Sequence, residues 1–101
     1  METYSLFQLN EYIKRVIALN FKDSVWINAE ISQVKLSRGN YYIDLIQKEE
    51  NSETIKAQAS AIIWFRKVNF LEKKFKSLFT SIIDTGNEIR VKVTVNFSER
   101  Y

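Results

Sequence analysis

The first apolar residues of the chain recur at the spacing of one helix face. Ser5 and Gln8 have the spacing of a capping box, in which a serine hydroxyl and a glutamine side chain satisfy free amides at a helix start. The apolar positions around them lie three or four residues apart and are Leu6, Leu9, Ile13, Val16 and Ile17. This pattern predicts a helix over about residues 5–20.

Beyond residue 20 the apolar period shortens to two, which is typical of strands with one buried face. Alternation of this kind predicts four strands, over about residues 24–36, 41–47, 55–64 and 88–98. A turn-forming segment at residues 37–40 separates the first two strands, which are therefore predicted to form a hairpin. Helical spacing returns between the third and fourth strands and predicts a second helix over about residues 66–81.

The predicted order of elements, α-β-β-β-α-β, is that of an OB (oligonucleotide-binding) barrel without its fifth strand. In this antiparallel barrel the helix lies between strands 3 and 4. We therefore predict one mainly β domain of the α+β class, with two helices, over residues 1–101. Because an open sheet edge exposes unpaired backbone groups, the missing strand indicates a fragment of a longer protein. Coverage of the gap by the first helix and an oligomeric partner is the alternative.

Composition removes several classes of chemistry, since the chain contains no cysteine and no histidine. Their absence excludes disulfides, thiolate and imidazole metal sites, cysteine nucleophiles and a histidine general base. The net charge of +3 favours polyanionic partners only weakly. The sequence shows no export signal and no apolar run of about 18 residues. We therefore expect no membrane contact, no cofactor, no metal and no catalytic residue in this chain.

Two segments combine aromatic rings with cations, which are the groups that stack on bases and contact phosphates in OB barrels. The first segment lies at the predicted hairpin and contains Arg38, Tyr41 and Tyr42. The second closes the third strand and contains Trp64, Phe65, Arg66 and Lys67. These seven residues are the candidates for contact with nucleic acid.

Ordinary core packing is the alternative for each ring, because aromatic residues in strands are usually buried. The alternation places Tyr41 with the core residues and Tyr42 on the opposite face, so at most one of them faces solvent. An enzymatic alternative uses the acids of residues 44–53, in which Glu49 and Glu50 would hold Mg²⁺. This segment lacks the regular ligand spacing of a calcium loop, so a solvated acidic loop is the favoured interpretation.

Four segments also carry local motifs of a known family. Segment 4–14 is similar to that family's first helix, and segment 25–32 (VWINAEIS) is similar to its strand motif VWIxGEIS. Segment 37–45 is similar to its hairpin SGHxYFxLKD, and segment 64–66 to its MFR motif. Together they resemble the N-terminal domain of the large subunit of exodeoxyribonuclease VII. The departures are Ala29 for glycine, Asn40 for histidine and Gln47-Lys48 for the final KD.

The resemblance implies an OB-fold domain that presents single-stranded DNA to a separate catalytic domain, in a bacterial cytoplasmic nuclease of large and small subunits. It implies hydrolysis of DNA to oligonucleotides by residues outside this chain, with DNA contacts here at Tyr41, Tyr42, Phe65 and Arg66. The expected partners are single-stranded DNA and, through the rest of the parent chain, the exonuclease VII small subunit. An OB-type module for protein interaction or oligomerisation is the alternative function.

Overall fold

The computed structural model describes residues 3–97. Its elements, in chain order, are α1 (Leu6–Asn20), β1 (Val25–Ser37), β2 (Asn40–Lys48), β3 (Ile55–Ile63), α2 (Phe65–Phe75), α3 (Ser77–Ile82) and β4 (Glu88–Val93). The strands form one sheet in the order β3-β2-β1-β4, in which β1–β2 and β2–β3 are antiparallel. This arrangement confirms the predicted OB-like α+β fold, with a sheet that is open at β3 and β4 in the part of the chain described.

Within the described residues the chain divides into two compact units, of which the first contains residues 3–27 and 91–97. Helix α1 begins with the predicted capping box. The hydroxyl of Ser5 accepts a hydrogen bond from the Gln8 amide (3.1 Å), and the Gln8 side chain accepts one from the Ser5 amide (2.9 Å). No residue of α1 is buried, so its predicted apolar face stays partly or fully exposed. No helix within residues 3–97 is long and apolar enough to cross a lipid bilayer.

The second unit, residues 28–90, is built around the predicted β1–β2 hairpin. Arg38 and Gly39 occupy the two central turn positions, and both have positive φ angles (54° and 81°), as a type I′ turn requires. Ser37 and Asn40 pair on either side of this turn. The buried core of the unit consists of Ile31, Ile43, Leu45, Ile46, Val68 and Phe79.

The prediction of a single helix over residues 66–81 is wrong at one position, because α2 and α3 are separated by Lys76. This residue has φ 53° and ψ −128°, which lies outside the helical region. The apolar spacing nevertheless continues across the break, with Val68 in α2 and Phe79 in α3 both buried. Periodicity does not reveal such a break, and position 76 carries neither of the usual helix-breaking residues, glycine and proline.

We expect the substitution Lys76→Gly to stabilise the domain. A non-glycine residue held at positive φ costs about 1 to 2 kcal/mol, and the added freedom of glycine in the unfolded chain offsets only part of that gain. The expected increase in the free energy of unfolding is about 0.5 to 1 kcal/mol, measured from the urea midpoint. Lys73→Gly, inside α2, is the matched control and should destabilise the domain by about 1 kcal/mol. Equal destabilisation by both substitutions would contradict the observed geometry of Lys76.

The fourth strand is shorter than its sequence pattern predicts. The alternation over residues 88–98 predicts a strand to the end of that segment, but β4 ends at Val93. Exposed and half-buried positions still alternate as far as Phe97. A strand also needs a hydrogen-bonded neighbour, which side-chain alternation does not reveal. Ser98, the last residue of the predicted strand, lies outside the described residues.

The small residues of β3 lie at an edge of the sheet. Ala59 pairs with the buried Leu45, and Ala57 pairs with Gln47, yet both alanines are exposed. Their small size predicts a neighbour that packs closely against the strand. Within residues 3–97 no further strand pairs with β3 on its outer side.

Candidate nucleic-acid interface

The register of the sheet sorts the side chains of β1, β2 and β3 onto two faces, because directly paired residues point to the same side. Tyr42 on β2 pairs with Lys35 on β1 and with Ile62 on β3, and all three are exposed. The Tyr42 side is opposite to the one that carries the buried Ile43. We call this surface the polar sheet face, and its residues are Gln33, Lys35, Tyr42, Asp44, Ser60 and Ile62.

Tyr41 lies on the other face, as the alternation predicts. It is half-buried, and its ring meets that of Phe79 edge to face, with the centroids 5.3 Å apart and an angle of 65° between the planes. Tyr42 has no such ring partner among the described aromatic contacts and is 39% exposed. The two neighbouring tyrosines therefore have different surroundings, and only Tyr42 belongs to the polar sheet face.

The second predicted segment lies against the hairpin turn. The Asn40 side-chain oxygen accepts a hydrogen bond from the backbone N–H of Phe65 (2.7 Å), the first residue of α2. Trp64 precedes the helix and makes no side-chain capping bond, so Asn40 satisfies one of the free amides from across the fold. A Cβ added at Gly39 would lie 3.2 Å from the Phe65 Cβ, which shows how closely the turn approaches this residue.

This contact brings exposed rings and cations together at one end of the sheet. Trp64 follows Ile62 by two residues and is 59% exposed, and Phe65 is 49% exposed. The Arg66 guanidinium carbon lies 5.9 Å from the centroid of the Phe65 ring. Arg38 is exposed in the adjacent turn. A base stacked on one of these rings would have its phosphates within reach of a cation, which is what contact with a single strand requires.

Lys67, the last of the seven predicted residues, points elsewhere. Its ammonium lies 5.2 Å from the ring centroid of Phe70, one turn further along α2. The Lys74 ammonium lies 5.9 Å from the same ring, and Phe70 is 54% exposed. Sequence reasoning missed Phe70 because it falls outside the apolar stripe of the helix. The signal that identifies it is its i+3 spacing from Lys67 and i+4 spacing to Lys74.

The opposite end of β2 is acidic. Lys48, the last residue of β2, forms ion pairs there. Its Nζ lies 2.8 Å from Oε2 of Glu53 and 3.4 Å from Oε2 of Glu30. Hydrogen bonding to Lys48 lowers the pKa of Glu53, and the same bond raises the pKa of Lys48, so both stay ionised at neutral pH. A concavity beside this loop is lined by two cationic residues and five acidic ones, the latter being Glu30, Glu49, Glu50, Glu53 and Glu88.

The acids of the 44–53 segment do not assemble into a metal site in the part of the chain described. Among residues 3–97 no group of three or more potential metal-ligating side chains lies close enough together to hold an ion. The acidic concavity also repels phosphates. The candidate interface is therefore the exposed end of the sheet around Tyr42 and Phe65, which is a surface and not a pocket.

The chain is similar to known proteins over nearly its whole length. The chain is 29% identical over 102 aligned positions to the exodeoxyribonuclease 7 large subunit of Deinococcus radiodurans. The alignment covers 95% of this chain and 24% of that relative, so the chain spans about a quarter of its length. No solved structure matches the chain. The profile of a family described as "OB-fold nucleic acid binding domain" matches residues 4–101. The chain therefore belongs to the OB-fold nucleic acid binding domain family.

Proposed function

We propose that this domain binds single-stranded DNA through the polar sheet face and the adjoining start of α2. The observation that carries the proposal is the Asn40–Phe65 hydrogen bond, which joins the two aromatic and cationic segments into one surface. On that surface Tyr42, Trp64 and Phe65 supply stacking rings. The cations beside them are Lys35, Arg38 and Arg66.

Exposed rings favour a single strand over a duplex for a physical reason. A base in a duplex has both faces covered by its neighbours, whereas an unpaired base offers a free face to a side chain. Stacking of this kind contributes about 1 to 3 kcal/mol per base and tolerates any sequence. Two or three rings with a few cations therefore suffice for moderate affinity without base-specific hydrogen bonds.

The unequal charges at the two ends of β2 determine which end of this β-strand the DNA contacts. Arg38 and Arg66 lie at the hairpin end, while Glu49, Glu50 and Glu53 lie at the other. β2 spans nine residues, or about 30 Å, which is several times the Debye length at physiological salt. Salt therefore screens the charges at one end of β2 from those at the other. Phosphates are thus attracted to one end and repelled from the other, which keeps the DNA on the surface around Tyr42.

The role that we propose for this domain is to present DNA to a nuclease. Similarity to an exodeoxyribonuclease 7 large subunit over about a quarter of that protein favours an accessory domain whose catalytic residues lie elsewhere in a longer chain. In this proposal the parent protein hydrolyses single-stranded DNA to oligonucleotides in the bacterial cytoplasm. It assembles with the exonuclease VII small subunit through the rest of its chain, and this domain needs no cofactor.

The proposed activity is tested by fluorescence-anisotropy titration of a labelled oligodeoxythymidylate at several salt concentrations, with duplex DNA as the competitor. For a short oligonucleotide that occupies this surface alone, three phosphate contacts, from Lys35, Arg38 and Arg66, give an expected slope of log affinity against log salt of about −2. Duplex DNA should compete weakly, since it offers no free base faces. Salt-independent affinity, or equal affinity for duplex and single strand, would exclude the proposed mode of binding.

The alternative function, a protein-interaction module, is favoured by a different surface. The outer edge of β3 has no neighbouring strand within residues 3–97, and it carries Ile55, Ala57 and Ala59. It therefore offers unpaired backbone groups and an apolar row to another chain. This alternative predicts an assembly of defined size in analytical ultracentrifugation and no salt-dependent binding of oligonucleotides. A monomer that binds single-stranded DNA in the titration above would exclude it as the main function.

A further inference from the structure

Helix α2 carries a basic stripe that begins at the candidate interface. Arg66 and Phe70 are one helical turn apart and so lie on the same side of the helix. This side is turned away from Val68, the buried residue of α2. We call the set the α2 stripe, and its residues are Arg66, Lys67, Phe70, Lys73 and Lys74.

The geometry of the α2 stripe resembles that of the candidate interface. The exposed ring of Phe70 lies between two ammonium groups, those of Lys67 at 5.2 Å and Lys74 at 5.9 Å from its centroid. Glu72 is the one acidic residue of α2, and its helix position is about 160° from that of Phe70. The stripe thus combines an accessible ring with cations and has no carboxylate between them, as in a groove for single-stranded nucleic acid.

We infer that the α2 stripe is a second contact segment for single-stranded DNA, which continues the path of the strand beyond Phe65 and Arg66. This inference rests on the proposed function and extends its footprint. From Arg66 to Lys74 the helix rises about 12 Å. Nucleotides beyond those on the polar sheet face can therefore contact the α2 stripe. A base stacks on Phe70, and the neighbouring phosphates contact Lys67, Lys73 and Lys74.

Charge favours a polyanionic occupant over an apolar protein surface. Four of the five stripe residues are cationic, and all five are exposed. A protein partner with an apolar face would leave these cationic groups desolvated without counter-charges, which is costly. A nucleic acid strand supplies both a phosphate for each cation and a base face for the ring.

The test compares two oligodeoxythymidylates, one of about 5 nucleotides and one of about 16, which bracket the site sizes of single OB folds. The variant Lys67→Gln/Lys73→Gln/Lys74→Gln should lower the salt slope for the long oligonucleotide by about 2 and leave the slope for the short one nearly unchanged. Phe70→Ala should weaken long-strand binding by about 5- to 150-fold. The matched controls are Arg15→Gln/Lys22→Gln/Lys92→Gln, which removes the same charge from the first unit, and Phe7→Ala, which removes an exposed ring from α1.

The outcomes separate this inference from the proposed function. The inference is supported if the stripe variants lose affinity and salt slope for the long oligonucleotide, while the short oligonucleotide and the control variants show no such loss. Equal effects of the stripe and control variants would overturn it, as would unchanged binding by the stripe variants while changes at Phe65 and Arg66 remain harmful. Failure of the unaltered chain to bind either oligonucleotide would instead overturn the proposed function, and the inference with it.

Discussion

Replacing Phe65 and Arg66 together with alanine is expected to weaken the binding of single-stranded DNA by about 10- to 150-fold, or about 1.5 to 3 kcal/mol. The change removes a half-exposed stacking ring and the guanidinium that lies 5.9 Å from its centroid. Loss of one phosphate contact should also reduce the salt slope by about 0.7. Anisotropy titration at several salt concentrations measures both quantities.

The fold should survive this double substitution. Both side chains are exposed, and the hydrogen bond that Asn40 accepts is donated by the backbone N–H of Phe65, which alanine retains. The free energy of unfolding should therefore change by no more than about 1 kcal/mol. Phe7→Ala/Arg15→Ala in α1 is the matched control, because it removes an exposed ring and an arginine from the other unit. Intact folding with unchanged affinity in the Phe65 and Arg66 variant would exclude this site.

The neighbouring tyrosines are expected to respond in opposite ways to the same substitution. Tyr42→Ala should reduce affinity for single-stranded DNA by about 5- to 150-fold, since stacking contributes about 1 to 3 kcal/mol, and should change stability little. Tyr41→Ala should instead lower the free energy of unfolding by about 2 kcal/mol, because it removes the edge-to-face contact with Phe79.

Tyr42→Phe is the conservative control for this pair, since stacking needs the ring and not the hydroxyl. It should bind DNA nearly as well as the unaltered chain. Urea denaturation and anisotropy titration of the three variants give both properties. If Tyr41→Ala impaired binding in a stably folded domain while Tyr42→Ala did not, the assignment of the two faces of β2 would be reversed.

Local patterns in the sequence were sufficient for the features that depend on neighbouring residues. The capping box of Ser5 and Gln8, the hairpin turn at Gly39 and the opposite orientations of Tyr41 and Tyr42 all follow from spacing, and the structure confirms them. Periods of two and 3.6 residues reflect which side of an element is buried. Once an element has been correctly identified as a helix or a strand, its period therefore predicts which of its side chains face the core.

The remaining features depend on contacts between distant parts of the chain. Nothing in the sequence indicates that Asn40 caps a helix that begins at residue 65, although this bond joins the two halves of the candidate interface. The break at Lys76 is hidden because apolar residues keep their spacing on both sides of it. The alternation of exposed and half-buried side chains continues beyond Val93, where β4 ends, so it does not reveal the end of the strand.

The central claim is that single-stranded DNA lies on the polar sheet face and the start of α2. Its most direct test is the mapping of backbone amide NMR shifts in the ¹⁵N-labelled chain as an oligodeoxythymidylate is added. We predict the largest shifts at Lys35, Tyr42, Phe65 and Arg66, with little change in the acidic 49–53 loop. Shifts concentrated in that loop or in α1, with the polar sheet face unaffected, would contradict the claim.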